Sequence, residues 1–517
     1  MIFFVLQCLT LNYGTRINHI DYIQNYKFNG TEPISTYLDR KLIAIKEYPS
    51  IENLQKWMIR FKLYSVEADE PIVFMALSKI KPGQVQFDPG LYQYGGAFLY
   101  PLGAFLYGYA KIFEPGSLNL TFLLDHPDTV DRLYVAGRFF VLFCFTLSAI
   151  FLMLAITPRA SNAEVFFLTA LYLFCPASIM FSQIMKPHWY ALLWITISLW
   201  VTVSIFQKST ATFWDIIALS VSLGFAVGSV MLLGIYALLI WIVLLMAYQS
   251  GKITWKQLAT IPIMAVLIFF LFNPFIVLNW KSFLLEAGTS AGWFSSSHHI
   301  SDFYYFLKNS FFLEFGAVFG LFGLLLAFWY LLHGPSFRSR LWGIGIVGIL
   351  IFISFLTASI KTWHTNVRYI SYLLPGFILL ISITRIPKKK WLLFFLLLLT
   401  LFQSLPLKIA YFDENNPIYS TRLSAAAWIN QSINKNTSLC VATQNLTPFD
   451  TPPFDFKNYL INSESCSYLI RVEREPDYSA LPDGFRLLKR FQPRLTWQIF
   501  PFVFSHINPQ ISIYGKK

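Results

Sequence analysis

Of the 517 residues, 56% are hydrophobic, 13% are charged and 52 are Phe, and the formal net charge is +13. With a mean hydropathy of +0.53, this composition excludes a soluble globular protein and implies a polytopic membrane protein. The basic residues are dispersed over loops between apolar stretches rather than gathered on one polar face, which excludes nucleic acid as a partner and points to topology.

Residues 1–11 are apolar but cover only about half of the roughly 20 residues a helix needs to cross hydrocarbon. They lack the basic n-region of a signal peptide, so the first helix is expected to begin upstream, with Met1 an internal start. A polar stretch, 12–90, follows. Within 31–65 of it, Tyr37, Leu38, Leu42, Ile45, Leu54, Trp57, Met58 and Phe61 recur at helical spacing among Lys and Arg. That pattern predicts helices lying in the membrane interface, with a small packed subdomain as the other reading.

The acidic cluster Glu67-Ala68-Asp69-Glu70-Pro71 stands near the end of the polar stretch. Read locally it is a helix start: Pro suits the first turn, an acidic residue complements the dipole, and Ile72-Val73-Phe74-Met75-Ala76-Leu77 supplies the apolar run. A cap and a catalyst are compatible, because a helix start gives a carboxylate a fixed direction. A second carboxylate follows in Phe87-Asp88-Pro89-Gly90-Leu91-Tyr92, where the membrane array begins.

Apolar stretches of span length run over about 91–113, 133–157, 163–184, 188–206, 212–249, 257–280, 311–332, 341–360, 369–384 and 391–409. The stretch 212–249 is long for one span and carries Gly224, Gly228, Ser229 and Gly234, where two shorter helices could meet. About 11 spans are therefore expected. Arg338 and Arg340 lie in one short loop and Arg385, Lys388, Lys389 and Lys390 in another, so the positive-inside bias puts both in the cytoplasm. By alternation, 361–368, 281–310 and 410–517 lie on the extracytoplasmic side. If 212–249 is one helix, the stretch before Asp88 is also outside. If it is two, Lys186 and His188 fall outside and something in 91–132 must re-enter.

The tail reads as a small α/β domain, with one helix around 421–431 and several short strands between Pro-rich turns. The expected organisation is 1–90 as a truncated first span plus an extracytoplasmic catalytic loop with interfacial helices, 91–409 as the multi-span membrane domain and 410–517 as the extracytoplasmic α/β domain. Cys440 and Cys466 both fall in strand-like runs of the tail, where a disulfide and two free thiols are equally open. Cys8, Cys144 and Cys175 read as small hydrophobes. His298-His299 has no third ligand nearby and makes a poor metal site.

The order of motifs is specific where each motif is short. An acidic pair at Asp69-Glu70, then Asp-Pro-Gly-Leu-Tyr from Asp88, then Arg132 and Arg138 ahead of a span resembles the GT-C glycosyltransferases, especially the protein O-mannosyltransferase and aminoarabinose-transferase group, family 39-like. Lys361, Arg368-Tyr369 and Pro375 resemble a later Lys, Arg-Tyr, Pro signature of that group. The chain departs from it in having Asp88-Pro89-Gly90 for His-Pro-Pro, Lys186-Pro187-His188 where many members carry an acidic residue, and a long loop ahead of Asp69.

The resemblance implies an α-helical polytopic GT-C fold and an inverting displacement from a polyprenyl-phosphate sugar donor to a protein, lipid or glycan acceptor at the extracytoplasmic face of a bacterial inner membrane. An attacking hydroxyl must lose its proton, which calls for one positioned carboxylate, whereas phosphate leaves as a stable anion and needs cations. Asp69 is the expected base, with Glu70 orienting the acceptor or the loop. Lys361 and Arg368, with Tyr369, are the expected phosphate ligands, and Asp88, Lys186 and His188 the further substrate-binding candidates. Arg132 and Arg138 are weaker candidates, since a cation at a span end is commonly a topology anchor. No cofactor is required, though a divalent cation shared by Asp69, Glu70 and Asp88 stays open. A flippase, or a polymerase using a lipid diphosphate, is the competing reading. Charges at span ends and asymmetric polar segments argue against a transporter built of repeated halves.

Overall fold

The structure, a computed structural model, describes residues 1–15, 20–26, 51–294, 371–383, 388–442, 448–449, 451–461, 466–473, 484–495 and 507–517, with single positions at 325, 329, 332 and 345. It divides into two compact units. The first comprises Met1–Gln7, Lys79–Gly103 and Phe140–Leu405, the second Cys8–Ser78, Ala104–Phe139 and Pro406–Lys517.

In chain order come α1 (Ile2–Cys8), α2 (Asp21–Gln24), α3 (Ile51–Leu63), α4 (Glu70–Lys79), α5 (Gly96–Phe113), α6 (Leu120–Asp125) and α7 (Pro127–Ile156). They are followed by α8 (Asn162–Phe174), α9 (Pro176–Phe181), α10 (Pro187–Gln207), α11 (Phe213–Ser229), α12 (Gly234–Gln249), α13 (Trp255–Phe272), α14 (Phe275–Leu278) and α15 (Trp280–Phe294). Further on lie α16 (Leu374–Ile383), α17 (Lys389–Asp413) and α18 (Thr421–Ser432), then strands β1 (Ser438–Val441), β2 (Leu460–Ile461), β3 (Tyr468–Glu473), β4 (Phe485–Phe491) and β5 (Gln510–Lys516).

Among the described residues, five helices are long and apolar enough to cross a bilayer: Pro127–Arg159, Pro187–Gln207, Met231–Gln249, Trp255–Phe272 and Lys389–Asp413. Asn162–Phe174, Phe213–Ser229 and Ser371–Ile383 are shorter apolar helices. The expected spans 311–332 and 341–360 fall outside the described residues save for single helical positions.

One sequence expectation changes and one open question closes. The stretch 163–184 is broken at Cys175, whose backbone is extended (φ −62°, ψ 149°) because Pro176 disfavours a helical residue before it. The stretch 212–249 is two helices, parted at Val230 (φ −144°, ψ 106°). They are antiparallel, since Ala211 N donates to Lys252 O at 2.8 Å where one begins and the other ends. The stretch 91–113 yields α5, which is not among the five long apolar helices because three Tyr, a Pro and a Lys dilute it.

In the first unit the helix ends sort into two layers. Ring pairs Phe140–Tyr190 (5.7 Å) and Phe151–Trp200 (5.5 Å) make α7 and α10 run in the same direction. One layer holds Lys208, Lys252 and Lys256 at the ends of α10, α12 and α13, together with Lys389, 3.6 Å from Glu164 at the start of α8. At the other layer Gly95 N donates to Ser229 O (3.1 Å) and Gly96 N to Asn273 Oδ1 (2.8 Å). A Cβ on either glycine would run into the carbonyls of Gly228 and Phe272, which is why only Gly admits this approach. Lys186 and His188, at the start of α10, belong to this second layer.

The second unit carries a sheet of order β2-β1-β3-β5-β4, with β1 parallel to β2 and β3, and β5 antiparallel to β3 and β4. This is the small α/β fold the tail suggested. Cys440 and Cys466 form a disulfide, with Cα atoms 5.6 Å apart. Of 31–65 the structure describes Ile51 onward, and there the chain packs into the protein interior. From Met58 to Leu63, α3 is buried throughout, and Phe61 packs its ring 5.0 Å from Phe456, which Tyr22, Trp57 and Phe454 also contact. A helix enclosed by aromatic rings on this scale buries its polar face as well, and Lys62 Nζ is satisfied by the carbonyls of Tyr26 (3.0 Å) and Leu124 (2.9 Å). Residues 27–50 lie outside the described residues.

Candidate functional site

The start of α4 is the most heavily determined polar site in the second unit. Glu70 opens the helix, with Pro71 in its first turn as a local start requires. Its carboxylate is fully buried. Oε1 accepts from Arg138 Nε at 2.8 Å, and Oε2 from Arg138 Nη2 at 2.6 Å and from Ser65 Oγ at 2.6 Å. The guanidinium, equally buried, spends its remaining nitrogen on two carbonyls, Nη1 donating to Leu11 O (2.7 Å) and Tyr13 O (2.8 Å). The Tyr13 ring covers the guanidinium at 3.9 Å, and Tyr411 meets that ring edge-on at 4.7 Å. Burial pushes the Tyr13 phenol well above its ordinary value.

Two charges removed from water are tolerable only when paired with good geometry and further hydrogen bonds, and this pair has both. Its consequence is local. The first residue of α4 cannot rotate or shift without breaking a bidentate ion pair to α7, 68 residues further along the chain. Asp69, one residue earlier, is thereby held at the positive end of the α4 dipole, and part of its surface stays exposed where Glu70 has none. Glu67, also buried, completes the acidic turn, and Glu70 N donates to Glu67 O at 3.3 Å.

Asp88 lies in the first unit. Oδ1 accepts from Gly90 N (2.9 Å), and Oδ2 from the Tyr92 hydroxyl (3.2 Å) and from Asn279 Nδ2. It closes a turn whose Gly90 takes φ +56°. Burial, with the Asp88 charge beside it, pushes the Tyr92 phenol up to about 12. The next two backbone N–H groups, of Tyr92 and Gln93, are bound by the carboxylate of Glu286 at 3.1 and 3.0 Å. Sequence reasoning missed Glu286 because its partners lie 193 and 194 residues away and a lone acid in an apolar helix carries no local signature.

Lys186 and His188 flank Pro187 at the start of α10 and are both buried, with His188 Nδ1 hydrogen-bonded to the Tyr372 hydroxyl. Arg132 is an exposed anchor, bridging Glu114 and Asp128. The structure thus brings together Asp69, Glu70 and Arg138 in the second unit, and groups Asp88, Lys186 and His188 on one layer of the first. Lys361, Arg368 and Tyr369 lie outside the described residues, as do His298 and His299. Among the described residues no three of His, Cys, Asp and Glu gather as metal ligands, and Glu70 has its oxygens committed to Arg138 and Ser65.

The long apolar helices and the sheet-bearing second unit make this an integral membrane protein with a folded polar portion. No family model matches the chain, and no curated protein matches it. Among solved structures it is similar to ArnT from Cupriavidus metallidurans in a crystal structure bound to undecaprenyl phosphate, at 13% sequence identity, over 90% of this chain and 96% of that one, with a TM-score of 0.49. A likeness at that identity and score carries no argument about chemistry.

Proposed function

We propose that the chain is a membrane glycosyltransferase of the GT-C kind, moving a sugar from a polyprenyl-phosphate donor to an acceptor hydroxyl on protein, lipid or glycan. The observation that carries this reading is the start of α4, where a buried Glu70–Arg138 pair fixes the backbone beside a partly exposed Asp69. Asp69 takes the proton of the acceptor hydroxyl as its oxygen attacks the anomeric carbon. The bond from that carbon to the phosphate oxygen breaks with inversion, and the electron pair leaves on the phosphate. No general acid is needed, because the leaving group is already an anion. Glu70 and Arg138 act as positioning residues.

Lys186 and His188 supply positive charge and hydrogen bonding toward the phosphate, joined by Lys361, Arg368 and Tyr369 from the motif the sequence resembles. The layer rich in Lys208, Lys252, Lys256 and Lys388 to Lys390 is cytoplasmic by the positive-inside rule, and the layer of Asp88, Lys186 and His188 is extracytoplasmic, with residues 410–517 on that side. The membrane is the inner membrane of a bacterium.

The test is transfer of radiolabelled sugar from a panel of polyprenyl-phosphate sugars by membranes holding wild type or Asp69→Asn at matched expression. Transfer from one donor, lost in the variant, supports the reading. No transfer from any donor by wild type moves the reading to a flippase or a lipid-diphosphate enzyme.

A further inference from the structure

α14 and α15 follow the Asn273-Pro274 break that ends α13. α15 has 15 residues, so it is about 22 Å long at 1.5 Å per residue and falls short of the roughly 30 Å of a hydrocarbon core. Its side facing away from the protein is nevertheless rich in large apolar side chains, with Lys281, Ser282 and Thr289 exposed among them. Val277, Leu278, Trp280, Leu284 and Leu285 are 59, 69, 55, 52 and 76% exposed. The opposite side is the one that holds the chain: Asn279 reaches Asp88, Phe283 meets the Tyr92 ring edge-on at 6.2 Å, and Glu286 binds the Tyr92 and Gln93 N–H groups. The spacing of 279, 283 and 286 places these three on one helical stripe, with 280, 284 and 285 outside it.

An exposed stripe of this kind needs an occupant. The exposed side chains of α13 lead up to it, with Ile263, Val266, Leu267 and Leu271 forming the outward side of a membrane-crossing helix. Trp280 has the amphipathic ring favoured at the headgroup level, and Lys281 beside it is a side chain that snorkels. We infer that α14 and α15 form an interfacial platform, their Val277, Leu278, Trp280, Leu284 and Leu285 face seated in the headgroup and upper acyl region of the phospholipid leaflet. The platform carries the Asp88–Gln93 turn on its inner side through Asn279 and Glu286, so lipid contact holds that turn at a fixed depth. This surface is independent of the reaction proposed above.

The experiment uses the full chain in proteoliposomes, with Cys8, Cys144 and Cys175 replaced by Ala, the Cys440–Cys466 disulfide kept, and a nitroxide placed singly at Leu284 or Leu285. Collisional relaxation by molecular oxygen is expected to exceed that by a water-soluble nickel chelate at both sites. Greater relaxation by nickel would mean an aqueous face and overturn the inference. Low values for both reagents would mean cover by protein, including a second copy of the chain, and would overturn it too. A readout that needs no substitution accompanies this one: a phospholipid with a diazirine near the top of its acyl chain is photolysed against the unmodified protein. Labelled peptides from residues 275–289 are expected, and labelling of α13 peptides without them contradicts the inference.

Discussion

The start of α4 and the turn ahead of α5 are both held by carboxylates, but by different partners. Glu70 is sealed from water and faces a guanidinium; Glu286 is half-buried and faces two neutral backbone N–H groups. The difference follows from solvation. A carboxylate with no water left requires an opposite charge, whereas one that keeps part of its hydration is satisfied by dipoles. It also sets what each site tolerates. Losing the partner strands a buried charge in the first case and exposes two N–H groups to available water in the second.

Arg138→Ala gives the largest expected effect, a loss of about 3–5 kcal/mol in thermal or denaturant unfolding in detergent, because the buried Glu70 loses its counter-charge. Arg138→Lys keeps the charge but loses the bidentate fork and the bonds to Leu11 O and Tyr13 O, so it falls between Ala and wild type. A Lys variant as stable as wild type would show that charge alone, without geometry, holds α4. In the other region Glu286→Gln leaves one acceptor for two donors and costs about 1–2 kcal/mol, read by hydrogen exchange at Tyr92 and Gln93. Asp88→Asn, which keeps an oxygen for Gly90 N, costs about 0.5–1.5 kcal/mol by the same measurement.

A third carboxylate sharpens the contrast through pH. Glu414, fully buried against Arg422 at 2.5 Å and the Asn508 N–H, sits above the ordinary carboxylate range because burial outweighs the pull of Arg422. The folded form therefore keeps a proton that the unfolded chain releases. Stability is greatest below the unfolded value of about 4.3 and declines as pH rises through the folded value. Glu414→Gln is expected to flatten that part of the pH–stability curve. An unchanged slope would assign it to another group.

Much of the membrane architecture is legible in the sequence because hydrocarbon demands a minimum run of apolar residues, and α7, α10, α12, α13 and α17 all meet it. The break around Val230 is marked by Gly224, Gly228, Ser229 and Gly234, whereas Cys175-Pro176 breaks a stretch that reads as one span. α5 lies within the expected stretch 91–113, its Phe and Leu diluted by three Tyr, a Pro and a Lys. The candidate site is half legible. Asp69-Glu70-Pro71 announces a helix start, and Arg138 is visible as a cation ahead of a span. That they form one buried pair is tertiary information, carried by residues 68 apart. Glu286 is the clearest omission, since two backbone N–H groups leave no mark in a sequence.

Whether the Glu70–Arg138 pair is structural and Asp69 chemical is tested by measuring kcat/KM and thermal stability together for Asp69→Asn and Glu70→Gln. Asp69→Asn is expected to lower kcat/KM by about 10²–10⁴-fold with thermal stability unchanged, whereas Glu70→Gln lowers both. Asp69→Asn turnover within a few-fold of wild type, with Glu70→Gln inactive at full stability, would move the base to Glu70 and contradict this expectation.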